Sequence, residues 1–243
     1  MKYYVTPQSN KLLIFLSLTL STAVISETLQ VNPVKDNTLY ETNFADVSNA
    51  LGQYSFIGRT GNNADAKLRR AVVKFDVSVI PANSVINSVS VSFTISKVPP
   101  AANSASANLH LLLSDWGEGT SLATGSQGSG IAAQTNDATW AHTFFDTQFW
   151  TNPGGDYSQT TSATANYGTN NGEIIDFSST NDLIADVQLW VDTPANNFGW
   201  IVLGDEVTVQ NSRRLNTREH ATTKPVLIID YTILDNIFAN GFE

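Results

Sequence analysis

The chain has 243 residues, a formal charge of −9 and no cysteine. Disulfides are therefore excluded, and the negative balance argues against a nucleic-acid partner, whose phosphates it would repel. Low charge density with abundant Ser, Thr, Asn and Gly fits a secreted β protein better than a cytosolic helical enzyme.

Residues 1–26 read as a secretory signal peptide. Lys2 and Lys11 make a basic start, Leu12 to Ile25 an apolar run, and Val24-Ile25-Ser26 a cleavage site. The run is short for a membrane span. The expectation is export, a secreted or cell-surface location and no membrane span in the mature protein; an uncleaved signal anchor is the alternative. Residues 27–232 then form one domain, of a size that can supply its own core. Residues 233–243 are a tail.

From Asp36 the pattern is β. Thr38 to Glu41 and Ser55 to Gly58 are short predicted strands, followed by a polar loop from Arg59 to Arg69 around Gly61-Asn62-Asn63. Ala71, Val73 and Phe75 alternate with Arg70, Val72 and Lys74, which predicts a strand with one face on the core. Val89, Val91, Phe93 and Ile95 alternate with Ser88, Ser90, Ser92 and Thr94, the cleanest period of two in the chain and a half-buried antiparallel strand. A loop through Pro99-Pro100 leads to Leu109 to Leu113. Gly117 to Gly130 carries no period and reads as an exposed loop, with Gly125, Gly128 and Gly130 there for flexibility. A dense aromatic block fills Asp137 to Tyr157.

The one helical period lies in Asp182 to Val191, where Leu183, Val187 and Trp190 recur on one face with Ile184 and Val191 beside them. Ser179, Thr180 or Asn181 can cap it, and Pro194 ends it. Gly199 to Gly204 is a short apolar run of the kind buried on both faces, and Pro225 to Tyr231 a closing central strand. Many short strands with turn signals predict an all-β antiparallel β-sandwich, a jelly roll, with one short helix plugging its end.

Several segments, in this order, carry a resemblance: Arg70 to Val77, Ile80-Pro81, Val85 to Val91, Asp115 to Gly119, Ala138-Thr139-Trp140, Trp150 to Asp156, Asn197 to Trp200 and Arg218-Glu219-His220. Together they resemble the DNRLRE-domain group of secreted bacterial proteins across nearly all of residues 27–232. The resemblance implies a jelly-roll sandwich related to polysaccharide-binding modules on alginate- and other glycan-degrading enzymes, here with no attached catalytic domain. The ending Ile237 to Glu243 resembles an I-F-x-x-G-F-E tail of exported gammaproteobacterial proteins, a sorting or processing signal; the alternative is a last strand packing Phe238 and Phe242.

The chemistry points to binding rather than catalysis. Three histidines and no thiol give no clustered zinc set, and no G-x-S-x-G elbow surrounds Ser126 or Ser129. Asp205-Glu206 is the best-placed carboxylate pair, with forks to Arg213, Arg214 or Arg218 as the structural alternative. A pyranose asks for an exposed aromatic face with polar neighbours. Trp150, Trp116, Asp156 and Tyr157 are the ligand-binding candidates, with Trp150 best placed for exposure and Trp140 for burial. Structural calcium fits the Asp- and Asn-rich turns, although no EF-hand loop occurs. The leading expectation is a secreted non-catalytic domain that binds polysaccharide or another cell-surface ligand. The alternatives are a structural or adhesive surface protein without a sugar site, and a polysaccharide lyase or hydrolase.

Overall fold

A computed structural model describes residues 1–3, 24–43 and 46–234. Most of the expected signal segment lies outside these residues, as does the tail from residue 235. The first strands are β1 (Val24–Val31), β2 (Pro33–Tyr40), β3 (Val47–Ser48), β4 (Tyr54–Arg59) and β5 (Leu68–Phe75). The long β6 (Ser84–Lys97) follows, then β7 (Ala105–Leu111), β8 (Ile131–Ala132), β9 (His142–Phe144) and β10 (Gln148–Phe149). Next come β11 (Ala163–Tyr167), β12 (Ile174–Phe177), the helix α1 (Asn181–Asp192), β13 (Trp200–Leu203), β14 (Arg213–Asn216) and β15 (Val226–Leu234).

One curled antiparallel sheet folds into two layers. The first runs β1-β15-β6, with β12 on the other edge of β6. The second runs β2-β5-β13-β7-β11. β14 pairs with both β6 and β4, and β4 pairs with β5, so these two strands turn the corner between the layers. The protein is an all-β sandwich with one α-helix.

The alternation in β6 makes its inner face: Val89, Val91, Phe93 and Ile95 are buried, and Ser90, Ser92 and Thr94 between them are half-buried. Against them pack Ala71, Val73 and Phe75 of β5, Trp200 and Val202 of β13, and Leu227 and Ile229 of β15. α1 closes this core with Leu183, Val187, Trp190 and Val191. Thr180 is its cap, its hydroxyl accepting from Leu183 N–H at 3.0 Å. Trp190 meets Trp200 at 4.3 Å between ring centroids, and Trp200 Nε1–H donates to Asp186 at 2.7 Å. Gln188 of α1 also accepts from Ile86 N–H and donates to Ser84 O, which clips the helix to β6.

The second layer is covered on both faces at β2, β5 and β13, while the outer face of β11 keeps Thr164 and Asn166 exposed. Val72, expected on the polar side of its strand, is fully buried with Leu39 and Ile201 in a second apolar cluster. Loops between β7 and β11 fold back over this outer face, so the period of two in β5 marks a change of core and not a boundary with water.

Candidate functional site

The aromatic block supplies that cover. Trp116 is fully buried and Trp150 is 4% exposed. Their indole N–H groups donate inward, Trp116 to Phe198 O and Trp150 to Thr139 O, each at 2.9 Å. The expectation of an exposed Trp150 is thereby corrected, and Trp116 falls with it: a second hydrophobic face needed covering, and indoles bring the largest area. Trp140, expected inside, is half-buried, with the Arg70 guanidinium 4.9 Å from its ring centroid. Tyr157 is also half-buried beside the same guanidinium. Trp116 and Trp150 meet in one cluster with Tyr157 packed against it, as a core.

Carboxylates organise this loop layer by accepting backbone N–H groups. Asp137 is fully buried and accepts from Thr120, Ser121 and Gln134. Gly119 sits at φ +76° directly against it, where any side chain would collide with the Asp137 carboxylate. Part of the stretch expected to be an exposed loop is thus packed, with Gly117, Ser121 and Ala123 all buried. Asp156 accepts from Thr151 N–H, Asn152 N–H and the Asn152 amide. Burial pushes its carboxyl up, but those donors outweigh burial and leave it below its ordinary value. Asp156 is therefore a turn organiser.

The Asp205-Glu206 pair divides between two structural tasks. Glu206 forms a two-pronged fork with Arg70 at 2.7 and 3.0 Å. The expected fork exists, but its arginine comes from β5, the strand next to β13. Asp205 accepts from Val207 and Thr208 N–H and from the Asn211 amide. Burial raises it, the donors together lower it more, and its pKa falls to about 2. His110 is 7% exposed and lies against Ser158 O and Thr160 O, a structural place. Among the described residues no three of His, Asp and Glu are grouped to hold a metal ion.

A concave site lies elsewhere, at the corner where β14 joins the layers. It is a groove of about 530 Å³, within the range of small-ligand sites. Asn62 and Asn63 form one rim, Pro99 and Pro100 another, and Gln210 and Ser126 complete the polar edge over Phe56. Its cations are Lys97 and Arg214, directly opposite each other across β6 and β14. Like charges opposed on neighbouring strands destabilise a sheet. No lining residue is an acid.

A β-bulge sits beside these cations. Arg214 pairs with Lys97 and Leu215 with Ile95, which leaves Ser96 without a partner across the ladder. Ser96 Oγ then accepts from Arg214 Nε at 2.7 Å, while the guanidinium lies 3.8 Å from the Tyr54 ring centroid. Ring and hydroxyl fix the arginine without neutralising it.

The backbone around the groove is strained. Among the described residues, the non-glycine positions with positive φ are Asp65, Ala66, Ala101, Gln127, Asn136 and Gln210. All but Asn136 line the groove or lie within two residues of a lining residue. Left-handed backbone costs about 1–2 kcal/mol at an ordinary L-residue, and such strain collects at functional sites. No single stretch of sequence marks this place, because its parts come from four separated segments. Each is unremarkable alone: a polar turn, a Pro-Pro loop, a serine in a Gly-rich stretch, and Gln210 to Arg214. No family model matches the chain, and no curated protein matches it. No helix among the described residues is long and apolar enough to cross a membrane.

Proposed function

We propose that this protein is an exported, non-catalytic sandwich that binds polysaccharide in the corner groove, with a preference for glycans carrying carboxylate or sulfate groups. The observation that carries this reading is the Lys97–Arg214 pair, two like charges held side by side with no acid among the lining residues. An anionic ligand turns their repulsion into attraction. The amides of Asn62, Asn63 and Gln210 offer donors and acceptors for hydroxyl groups. The resemblance to DNRLRE-domain proteins, and through them to polysaccharide-binding modules, supports the same assignment.

The test is retention of the folded protein on insoluble or immobilised polysaccharides, acidic and neutral, at low and high salt. Acidic glycans should retain it, with retention falling as salt rises. Arg214→Ala and Lys97→Ala should each weaken binding about tenfold, in line with loss of a charge-assisted hydrogen bond. If folded protein is retained by no glycan, or both variants bind as the wild type does, the assignment fails. New reducing or unsaturated ends after incubation would instead make the protein a hydrolase or lyase.

A further inference from the structure

Away from the groove, three acids crowd one arginine. Asp36 of β2 is 4% exposed, and its Oδ2 accepts from Arg218 N–H at 2.8 Å. Glu118 takes the Arg218 guanidinium in a fork at 2.8 and 2.6 Å and also accepts from Asp36 N–H. Glu219 holds the same guanidinium through Oε1 at 2.9 Å. Lys35, on the approach to Glu118, is engaged by Asp115 and by Trp116 O. One arginine thus serves three carboxyls, two through its guanidinium and Asp36 through its main-chain N–H, and two acceptor atoms, Asp36 Oδ1 and Glu219 Oε2, are buried with no donor. A buried acceptor with no partner costs about 1–3 kcal/mol, more when charged. Arg218 occupies the middle of the cluster, where it would repel a metal ion.

We infer that the folded chain holds one extra proton on Asp36, and that this proton latches the 217–220 turn to β2 and to the loop bearing Glu118. As the neutral acid, Asp36 becomes the donor the cluster lacks, and one negative charge leaves a site with too many. Burial agrees, pushing Asp36 well above the usual carboxylate range, with Glu219 and Glu118 adding to the effect. Glu219 is raised too, by burial first and by Glu118 beside it.

The sign follows from proton linkage. Unfolded, these acids release protons near their ordinary values of 3.8 and 4.5. The folded form keeps its proton to higher pH. Stability from the latch is therefore complete below the ordinary values and is lost as pH rises through the raised one. With one proton released on unfolding, the unfolding equilibrium constant climbs up to about tenfold per pH unit across that window.

The experiment follows denaturant unfolding of the full chain from about pH 4 to about pH 9 for the wild type, Asp36→Asn and Glu219→Gln. The asparagine amide donates at all these pH values, so Asp36→Asn should fold and lose the upward slope. Glu219→Gln should shift the slope to lower pH, because it removes the neighbouring charge. A folded Asp36→Asn with the wild-type slope overturns the inference. Should that variant not fold, carbon NMR of the wild-type Asp36 carboxyl decides. Titration above the ordinary range supports the latch, and titration at or below it overturns the latch.

Discussion

At β2, β5 and β13 the second layer keeps water from both of its faces, by two different means. On the inner face, strands and α1 present aliphatic and aromatic side chains at regular intervals, and Trp200 meets Phe75 and Trp190 with little polar chemistry between them. On the outer face the cover is loop, and loop backbone brings N–H groups that need acceptors. The chain provides these with buried side chains: Asp137 for three N–H groups, Asp156 for two, and Asn49 for Ala123. A core of regular elements is stabilised by area. A core roofed with loops also depends on single polar atoms, and each of those is a point of failure.

The largest effect belongs to the inner face. Trp200→Ala should cost about 3–5 kcal/mol, read from denaturant unfolding, because a fully buried indole leaves a cavity that a close-packed sandwich cannot collapse. A cost under about 1 kcal/mol would mean that the two faces do not differ as described. Next comes Asp137→Ala, which should cost about 1–3 kcal/mol by stranding three N–H groups. Its signature differs in kind. Hydrogen exchange should rise at Thr120, Ser121 and Gln134 while β6 and β13 stay protected, since loops open locally below the global transition.

The same contrast explains what could be read in the sequence. Val89, Val91, Phe93 and Ile95 announce their strand because one spacing serves one face. The helix was legible for the same reason, down to Thr180 among its three candidate caps. Trp200 and its neighbours were legible as a two-sided strand. Trp150 and Trp116 were not, because a loop residue has no period to say which way it points. Trp150 beside Asn-Pro-Gly-Gly looked exposed, yet the turn exists to return the chain over Ile201 and Leu39. The groove left even less trace. Lys97 reads as the end of a strand and Arg214 as one of two adjacent arginines, and only the β6–β14 pairing makes them a site.

Acid stability sharpens the comparison in the opposite direction to the latch. Asp205 and Asp156 are held below their ordinary value by donated N–H groups. A carboxyl that binds protons less well when folded contributes stability above its unfolded value of 3.8 and loses it as pH falls through the folded one, about 2 for Asp205. Asp205→Asn should flatten this acid limb slightly and leave the profile above neutrality unchanged. An unchanged acid limb would place the N–H groups of Val207 and Thr208 in water and not on Asp205.

The smallest effect asks whether the strained rim serves the groove. Ala66 and Ala101 adopt φ of 49° and 62°, values that glycine takes without penalty. Ala66→Gly and Ala101→Gly should therefore stabilise the fold by up to about 1 kcal/mol, the relief of strain being partly offset by a freer unfolded chain. If the rim is held in this shape to aim Asn62, Asn63 and Pro100 at a ligand, the same substitutions loosen it and weaken retention on acidic glycans. Gly172, also at positive φ, with open space around it and no lining residue within two positions, offers the matched control, since alanine there should destabilise without touching the groove lining. Stabilised variants that bind as well as the wild type would show that the strain is only the geometry of four tight turns meeting at one corner. Stabilised variants that bind less well would show that stability is given up at that corner to hold the site open.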